Sequence, residues 1–290
     1  MQAEKITDIL NNGKVSISCE LFPPKQGTEL KNSLAIVREI AKVHPSYMSV
    51  TYGAGGSTVG YSAAIAKEVQ DNGITALAHV TCIQADEEKI NGVLAKLKAY
   101  NIRNVLALRG DVPKGSEGEP SGSFAHASDL TRFIKKAGDF CVGGAVYPEG
   151  HPESGSLAQD IENTKFKVDA GVDFLVTQMF FDNTVLYSYM FRLLSAGIFV
   201  PVVPGIMPVT NAKQINRICQ LSGTKLPSHF RAMVEKFADK PLALRQAGIA
   251  YAVGQIIDLV SNGFDNVHIY TMNRPEVIGG IMEELSEIVK

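Results

Sequence analysis

"NVLALRGD", residues 104–111, opens as an apolar strand and ends on an arginine and an aspartate that flank a glycine. Val105, Leu106, Ala107 and Leu108 leave the strand no polar face, the mark of a parallel strand buried between layers of helices. Seven more short β-branched or apolar runs predict strands over 15–22, 47–52, 76–82, 141–147, 174–180, 202–207 and 267–272. Between them the periodicity turns helical. Residues 28–43 place Leu30, Leu34, Val37 and Ile40 on one stripe, and 86–100 opens on acids and carries Ile90, Leu94 and Leu97 on one face. Residues 128–138 start at Ser128 as N-cap and end at Gly138. Strand starts recur about every thirty residues, the size of one βα unit. The last interval, from 202 to 267, is about twice as long and contains the helical segments 226–237 and 241–263. The pattern therefore predicts an α/β fold, a (β/α)8 TIM barrel with extra helices before strand eight, in preference to a doubly wound sheet. No Ser/Gly linker or compositional break divides the chain, so residues 1–290 read as one domain.

The composition is 45% hydrophobic and 20% charged, ordinary for a globular protein. Net charge is −2 and the pI about 6.3, which leaves no basic field for nucleic acid or an anionic membrane; a small molecule is the expected partner. Cys19, Cys82, Cys141 and Cys219 lie far apart with no C-x-x-C, so they read as core residues and neither a disulfide framework nor a zinc site is expected. The N-terminal stretch has no apolar core of signal-peptide length. The most apolar stretch, 197–209, is short and holds three prolines, so a cytoplasmic protein is expected.

In such a barrel, ligands meet the C-terminal ends of the strands. Those ends carry Glu20, Thr51, His79, Arg109 with Asp111, Tyr147, Gln178 and, just past strand eight, Arg274. Glu20 has two readings of equal weight. It is either an acid whose pKa burial raises, as a general acid needs, or a structural partner of an arginine such as Arg109. "TYGAGGST" (51–58) lacks the G-K-[ST] of a P-loop and breaks G-x-G-x-x-G at Thr58; its glycines suit a tight turn or close approach to a flat ligand. His79 and His151 have no metal-ligand spacing, and a lone His79 fits a core position. On helix geometry alone, Asp160, Lys165 and Lys167 read as a solvated face. Arg109-Gly110-Asp111 is also an adhesion tripeptide, but that use needs an exposed tip in a secreted protein, and the barrel-mouth reading prevails at the end of a buried strand.

Taken in order from residue 15 to 274, the blocks "SCELFPPK", "SVTYGA", "AHVTCI", "LALRGDVP", "ASDL", "VYPEGHPES", "KVDAG", "TQMFFD", "PGIMPVTN" and "YTMNR" resemble the methylenetetrahydrofolate reductase family, in its bacterial form with a catalytic barrel only. The resemblance implies a (β/α)8 barrel that holds FAD. It also implies reduction of 5,10-methylenetetrahydrofolate to 5-methyltetrahydrofolate, with NADH or NADPH as hydride donor and ping-pong kinetics. Glu20 and Asp111 correspond to the family's catalytic acids: Glu20 opens the folate imidazolidine ring, and Asp111 tunes hydride transfer beside flavin and pterin. Thr51, His79, Arg109, Gly110, Asp111 and His126 correspond to FAD contacts, as do Ala127, Tyr147, His151, Asp160 and Lys167. Glu20, Gln178, Gln214 and Arg274 correspond to folate contacts, with Arg274 suited to hold a carboxylate. Two positions depart from the pattern: His126, where some relatives carry tyrosine, and Ile218, where relatives can carry a phenylalanine that stacks on substrate. The resemblance also implies self-association, for which the helices between 226 and 262 offer one surface, and no appended regulatory domain of the eukaryotic kind. The rival expectation is a non-catalytic flavin- or folate-binding barrel.

Overall fold

The computed structural model describes residues 4–24, 30–52, 59–111 and 122–290. Its strands are β1 (Ser16–Leu21), β2 (Tyr47–Val50), β3 (Thr75–Thr81), β4 (Asn104–Leu108), β5 (Cys141–Val146), β6 (Phe174–Thr177), β7 (Val202–Val203), β8 (Gly205–Ile206) and β9 (Asn266–Tyr270). All pair in parallel, in the order β7-β6-β5-β4-β3-β2-β1-β9-β8. Most of the glycine-rich stretch 51–58 lies outside the described residues.

The expected seventh strand is divided. Val202 pairs with Leu175 of β6, whereas Gly205 pairs with His268 of β9. Pro204 stands between the halves and has no N–H to give a ladder. Its carbonyl accepts from His268 N at 2.8 Å, and Gly205 N donates to Thr177 Oγ1 at 2.9 Å. One short segment therefore bonds to both neighbours and closes the barrel. Gly205 is required at that seam, because a Cβ would lie 2.4 Å from Thr177 O and 2.6 Å from the Tyr270 ring.

The helices are α1 (Ile6–Leu10), α2 (Leu30–Ala41), α3 (Val59–Asp71), α4 (Glu87–Ala99), α5 (Ala127–Ala137), α6 (Leu157–Asp169), α7 (Asn183–Ser195), α8 (Ala212–Ser222), α9 (Ser228–Lys236), α10 (Pro241–Ser261) and α11 (Pro275–Glu284). Helices α8, α9 and α10 fill the long interval before the last strand, as the spacing predicts. Asp86 caps α4 by accepting from Lys89 N at 2.8 Å, and Ile90, Leu94 and Leu97 are buried. Helix α5 differs from expectation: its N-cap is His126, whose N–H donates to Asp129 Oδ2 at 3.0 Å, and Ser128 is buried inside the first turn. Cys19, Cys82 and Cys141 are buried and Cys219 is partly so. No helix among the described residues is long and apolar enough to cross a membrane.

Helix α1 has no counterpart in the sequence reading, because five residues are too few to show a period. It closes the N-terminal end of the barrel, where Ile6, Ile9 and Leu10 pack with Tyr47, Cys141 and Phe174. Asn104, 1% exposed, holds it there: Oδ1 accepts from Ile6 N at 2.9 Å and Nδ2 donates to Glu4 O at 3.0 Å. Asn104→Ala leaves those backbone groups unpaired in an apolar setting. It should lower unfolding free energy by about 2–4 kcal/mol, read from the urea midpoint.

Candidate functional site

All strands being parallel, their C-terminal ends share one mouth, and a cavity of about 580 Å³ opens there. That is the size of a small-molecule or cofactor site. Its floor is apolar, with Leu77, Leu106, Leu108 and Val176. The polar walls come from the strand ends: Glu20, Thr51 and His79 from β1 to β3, then Arg109, Gly110 and Asp111 past β4. Tyr147 and His151 follow β5, Gln178 follows β6, Lys167 reaches in from α6, and Ala127 opens α5. Most of the expected site residues are therefore gathered in one place.

Glu20 sits on β1 between β2 and β9 and is 7% exposed. Burial alone pushes its carboxyl pKa up to about 8. His79 lies beside it, Nε2 3.6 Å from Oε2, too far for a hydrogen bond, and burial holds the imidazole neutral with a pKa of about 3. Two neutral groups thus face each other, a protonated acid and an unprotonated imidazole. The ion-pair reading of Glu20 does not hold, because Arg109 turns away to Glu153 and donates to both carboxylate oxygens, at 2.6 and 2.7 Å. That pair raises the arginine and holds Glu153 below the usual carboxylate range. The exit of β1 is clamped by the loop after β9: Phe22 N donates to Asn273 Oδ1 and Asn273 Nδ2 to Phe22 O, each at 2.8 Å, while Thr271 Oγ1 donates to Glu20 O at 2.7 Å. Asn273 and Met272 adopt left-handed φ of 57° and 53° to make this clamp, a conformation asparagine tolerates well.

Glu20 also makes stability depend on pH, with a definite sign. Between the ordinary value of 4.5 and the folded value of about 8, the unfolded chain is ionised while the folded one keeps its proton. This contribution therefore falls as pH rises through that window, by up to about 1.4 kcal/mol per pH unit, and is flat above it. Glu20→Gln should remove the slope; comparing urea midpoints of the two proteins from pH 5 to 9 checks this.

The Arg-Gly-Asp stretch does not complete the strand as expected. β4 ends at Leu108, Arg109 and Gly110 are half-buried, and Asp111 is exposed at the rim. Gly110 has φ 90° and sits so close to β3 that a Cβ would lie 2.9 Å from Ile83 and 3.1 Å from Thr81. Lys165 is solvated as helix geometry predicts, but Asp160 and Lys167 are not. Asp160 is buried, Oδ1 accepts from Ser154 Oγ at 3.2 Å, and Oδ2 has no partner among the described residues. Lys167 donates to Ala145 O at 2.7 Å, and burial lowers its pKa. His151 packs edge-on against Tyr147, with centroids 4.5 Å apart, and its Nδ1 accepts from Glu153 N at 3.1 Å. That bond leaves the ring proton on Nε2.

Four expected residues lie outside the cavity wall. His126 is exposed at the start of α5, and Asp160 stands behind Lys167 on α6. Gln214 lines a shallow depression that shares Met207, Ile218 and Met272 with the main cavity. Arg274 is half-buried at the N-terminus of α11 and donates to Thr210 Oγ1 at 2.8 Å. Ser49, His268 and Tyr270 line the cavity without having been singled out in the sequence, since strands buried on both faces do not reveal which residues point inward. Glu153 went unassigned for want of any spacing that ties it to Arg109.

Comparison with known proteins fits this geometry. A family model for methylenetetrahydrofolate reductase matches residues 5–286. The 5,10-methylenetetrahydrofolate reductase of Escherichia coli (strain K12) is 34% identical over 274 residues, which cover 94% of this chain and 91% of that protein. The Zea mays protein named methylenetetrahydrofolate reductase (NADH) 1 is 35% identical over 299 residues, 98% of this chain but 50% of its own length. The chain thus spans about half the length of the plant relatives it matches. Among solved structures, an uncharacterised protein from Clostridium thermocellum that binds two copies of 5-methyl-5,6,7,8-tetrahydrofolic acid superposes with a TM-score of 0.68. It covers 98% of this chain and 99% of its own at 12% identity, which shows a shared fold.

Proposed function

This chain belongs to the methylenetetrahydrofolate reductase family, and on that premise we propose that it reduces 5,10-methylenetetrahydrofolate to 5-methyltetrahydrofolate as one cytoplasmic catalytic domain that self-associates. NADH or NADPH is the hydride donor and FAD the bound cofactor, in a ping-pong cycle at one face of the barrel. The observation that carries the reading is Glu20, a buried carboxyl whose pKa burial pushes up to about 8, at the mouth of a cavity of about 580 Å³.

The residues present fit a flavin dinucleotide. The apolar floor of Leu77, Leu106 and Leu108 suits a flat ring system, and the wall from Arg109 to Lys167 supplies donors for a polyanionic tail. His79 Nε2 and Asp160 Oδ2, both buried and unpartnered among the described residues, call for polar atoms of a ligand. His79, Thr51, Arg109, Gly110, Ala127, Tyr147, His151, Asp160 and Lys167 would hold it, with His126 near the entrance. Held there, FAD would supply hydride transfer between the nicotinamide donor and the folate.

The chain's own residues supply the proton and the charge. Glu20, neutral at physiological pH, gives its proton to the folate amine nitrogen as the imidazolidine ring opens to an iminium. Asp111, a carboxyl group exposed at the rim, is the residue that would stabilise that cation. Gln178, Gln214 and Arg274 position the pterin and the carboxylate tail, and Ile218 contributes an aliphatic surface to the same wall. Adding FAD or FMN to flavin-depleted protein tests the cofactor assignment: saturable quenching of FAD fluorescence that FMN does not reproduce is expected, and no uptake of either would remove the assignment.

A further inference from the structure

We propose that Glu153 is a built-in competitor for the phosphate groups of the cofactor: it closes the bidentate edge of Arg109, and a pyrophosphate must exchange with it to gain that edge. The inference rests on the reading of this cavity as the site of a flavin dinucleotide. It adds a residue, acting through Arg109, that sets the affinity for the phosphate-bearing tail.

The exchange follows from the donors that Arg109 has to offer. A guanidinium is planar, with its N–H groups in a fixed fork. It meets an oxyanion with two parallel bonds along one of two edges, the end edge of Nη1 and Nη2 or the side edge of Nε and Nη2. In Arg109 the end edge is closed, because Nη1 and Nη2 donate to the two carboxylate oxygens of Glu153 at 2.6 and 2.7 Å. The side edge is engaged as well, since Nε donates to Gly110 O at 3.3 Å. A ligand is left with single N–H groups and no paired edge. Arg109, just past β4, lines the cavity, whereas Glu153, in the turn between β5 and α6, does not. The carboxylate therefore reaches the guanidinium from outside the cavity wall.

The pair has the make-up of a removable cover. The Glu153 side chain is 58% exposed and that of Arg109 30%. An ion pair so exposed adds little to stability, because water competes for both partners. Releasing Glu153 returns its charge to solvent and strands no buried carboxylate. Its backbone is held independently: Glu153 N donates to His151 Nδ1 at 3.1 Å and Ser154 N to His151 O at 2.9 Å. The side chain can therefore swing away without undoing the turn that carries His151. Lys167, the other cation of the wall, donates to Ala145 O and has no ion-pair partner among the described residues, so the contest between carboxylate and phosphate falls on Arg109. A pyrophosphate brings more charge and more oxygens than one carboxylate, which favours the exchange.

The test is binding to flavin-depleted protein at low salt, read by fluorescence quenching for FAD and riboflavin and by calorimetry for inorganic pyrophosphate. Glu153→Gln keeps the size of an exposed side chain and removes its charge. It should bind FAD and pyrophosphate about fivefold more tightly than the parent, the scale of one exposed ion pair, and riboflavin, which has no phosphate, equally well. In an Arg109→Gln background the same substitution should have little effect, because no edge is left to contest. Unchanged or weaker FAD binding in Glu153→Gln would overturn the exchange and make Glu153 a support for Arg109. A matching gain for riboflavin, or an equal gain without Arg109, would also overturn it, the latter assigning the effect to general repulsion between carboxylate and anion. A protein that takes up no FAD but shows the pattern with pyrophosphate would remove the flavin reading and leave the exchange. One that binds neither would overturn both.

Discussion

Glu20→Gln is expected to slow methylenetetrahydrofolate reduction roughly 10²–10⁴-fold, the range for loss of a general acid, while FAD stays bound and NADH bleaches it at close to the parent rate. The substitution keeps the shape and neutrality of a protonated carboxyl and removes only its transferable proton. Glu20 is 7% exposed, and its backbone is held by Thr271 and the register with β2 and β9, so the amide should sit where the acid did. The pH profile carries the same prediction. In the parent protein the folate half-reaction should decline as pH rises through about 8, where Glu20 ionises, and in Glu20→Gln that limb should vanish. Stopped-flow traces of the two half-reactions, recorded separately between pH 6 and 9, check both points. Equal loss in both would make Glu20 a binding residue.

Gly248→Val should destabilise the protein by about 4 kcal/mol or more, enough to leave it largely insoluble. Gly248 lies on α10 where that helix meets the segment after β8, and a Cβ there would fall 1.9 Å from Val209 O and 2.8 Å from Val209 C. Backbone has nowhere to retreat, since Val209 is buried in the cluster of Met179, Phe181, Met207, Ile215 and Phe230. The same segment leads to Gln214 and Ile218, so a displaced α10 would also spoil that wall. Gly254, about 1.7 turns on along α10, is the control. It has nothing within 4 Å, and Gly254→Ala should be neutral or stabilising by about 0.5–1 kcal/mol. Thermal unfolding of the two variants checks the contrast.

The barrel was legible because strands buried on both faces and helices of one stripe alternate along most of the chain. What stayed hidden depended on long-range pairing. Pro204 could be seen in the sequence, but only the pairing of Val202 with β6 and Gly205 with β9 shows that it divides a strand and closes the sheet. Helix α1 was too short for periodicity, and its anchor Asn104 reads as an ordinary strand residue until Ile6 is found against it. The site was legible where polar residues end apolar runs, as at Glu20, Thr51, His79, Arg109, Tyr147 and Gln178. It was illegible where inward direction decides, as at Ser49, His268 and Tyr270, because a continuous apolar strand shows no parity. Asp160 and Lys167 show the opposite failure: a helix-face argument put them in water, and tertiary packing turned them toward the barrel.

The most direct test of the proposed function is an anaerobic visible spectrum of the purified protein through one cycle. Flavin absorbance should bleach on addition of NADH or NADPH and return, with formation of 5-methyltetrahydrofolate, when methylenetetrahydrofolate is added. Bleaching without recovery on folate addition would contradict the assigned substrate. A protein that neither carries flavin nor takes up FAD would contradict the assigned chemistry altogether.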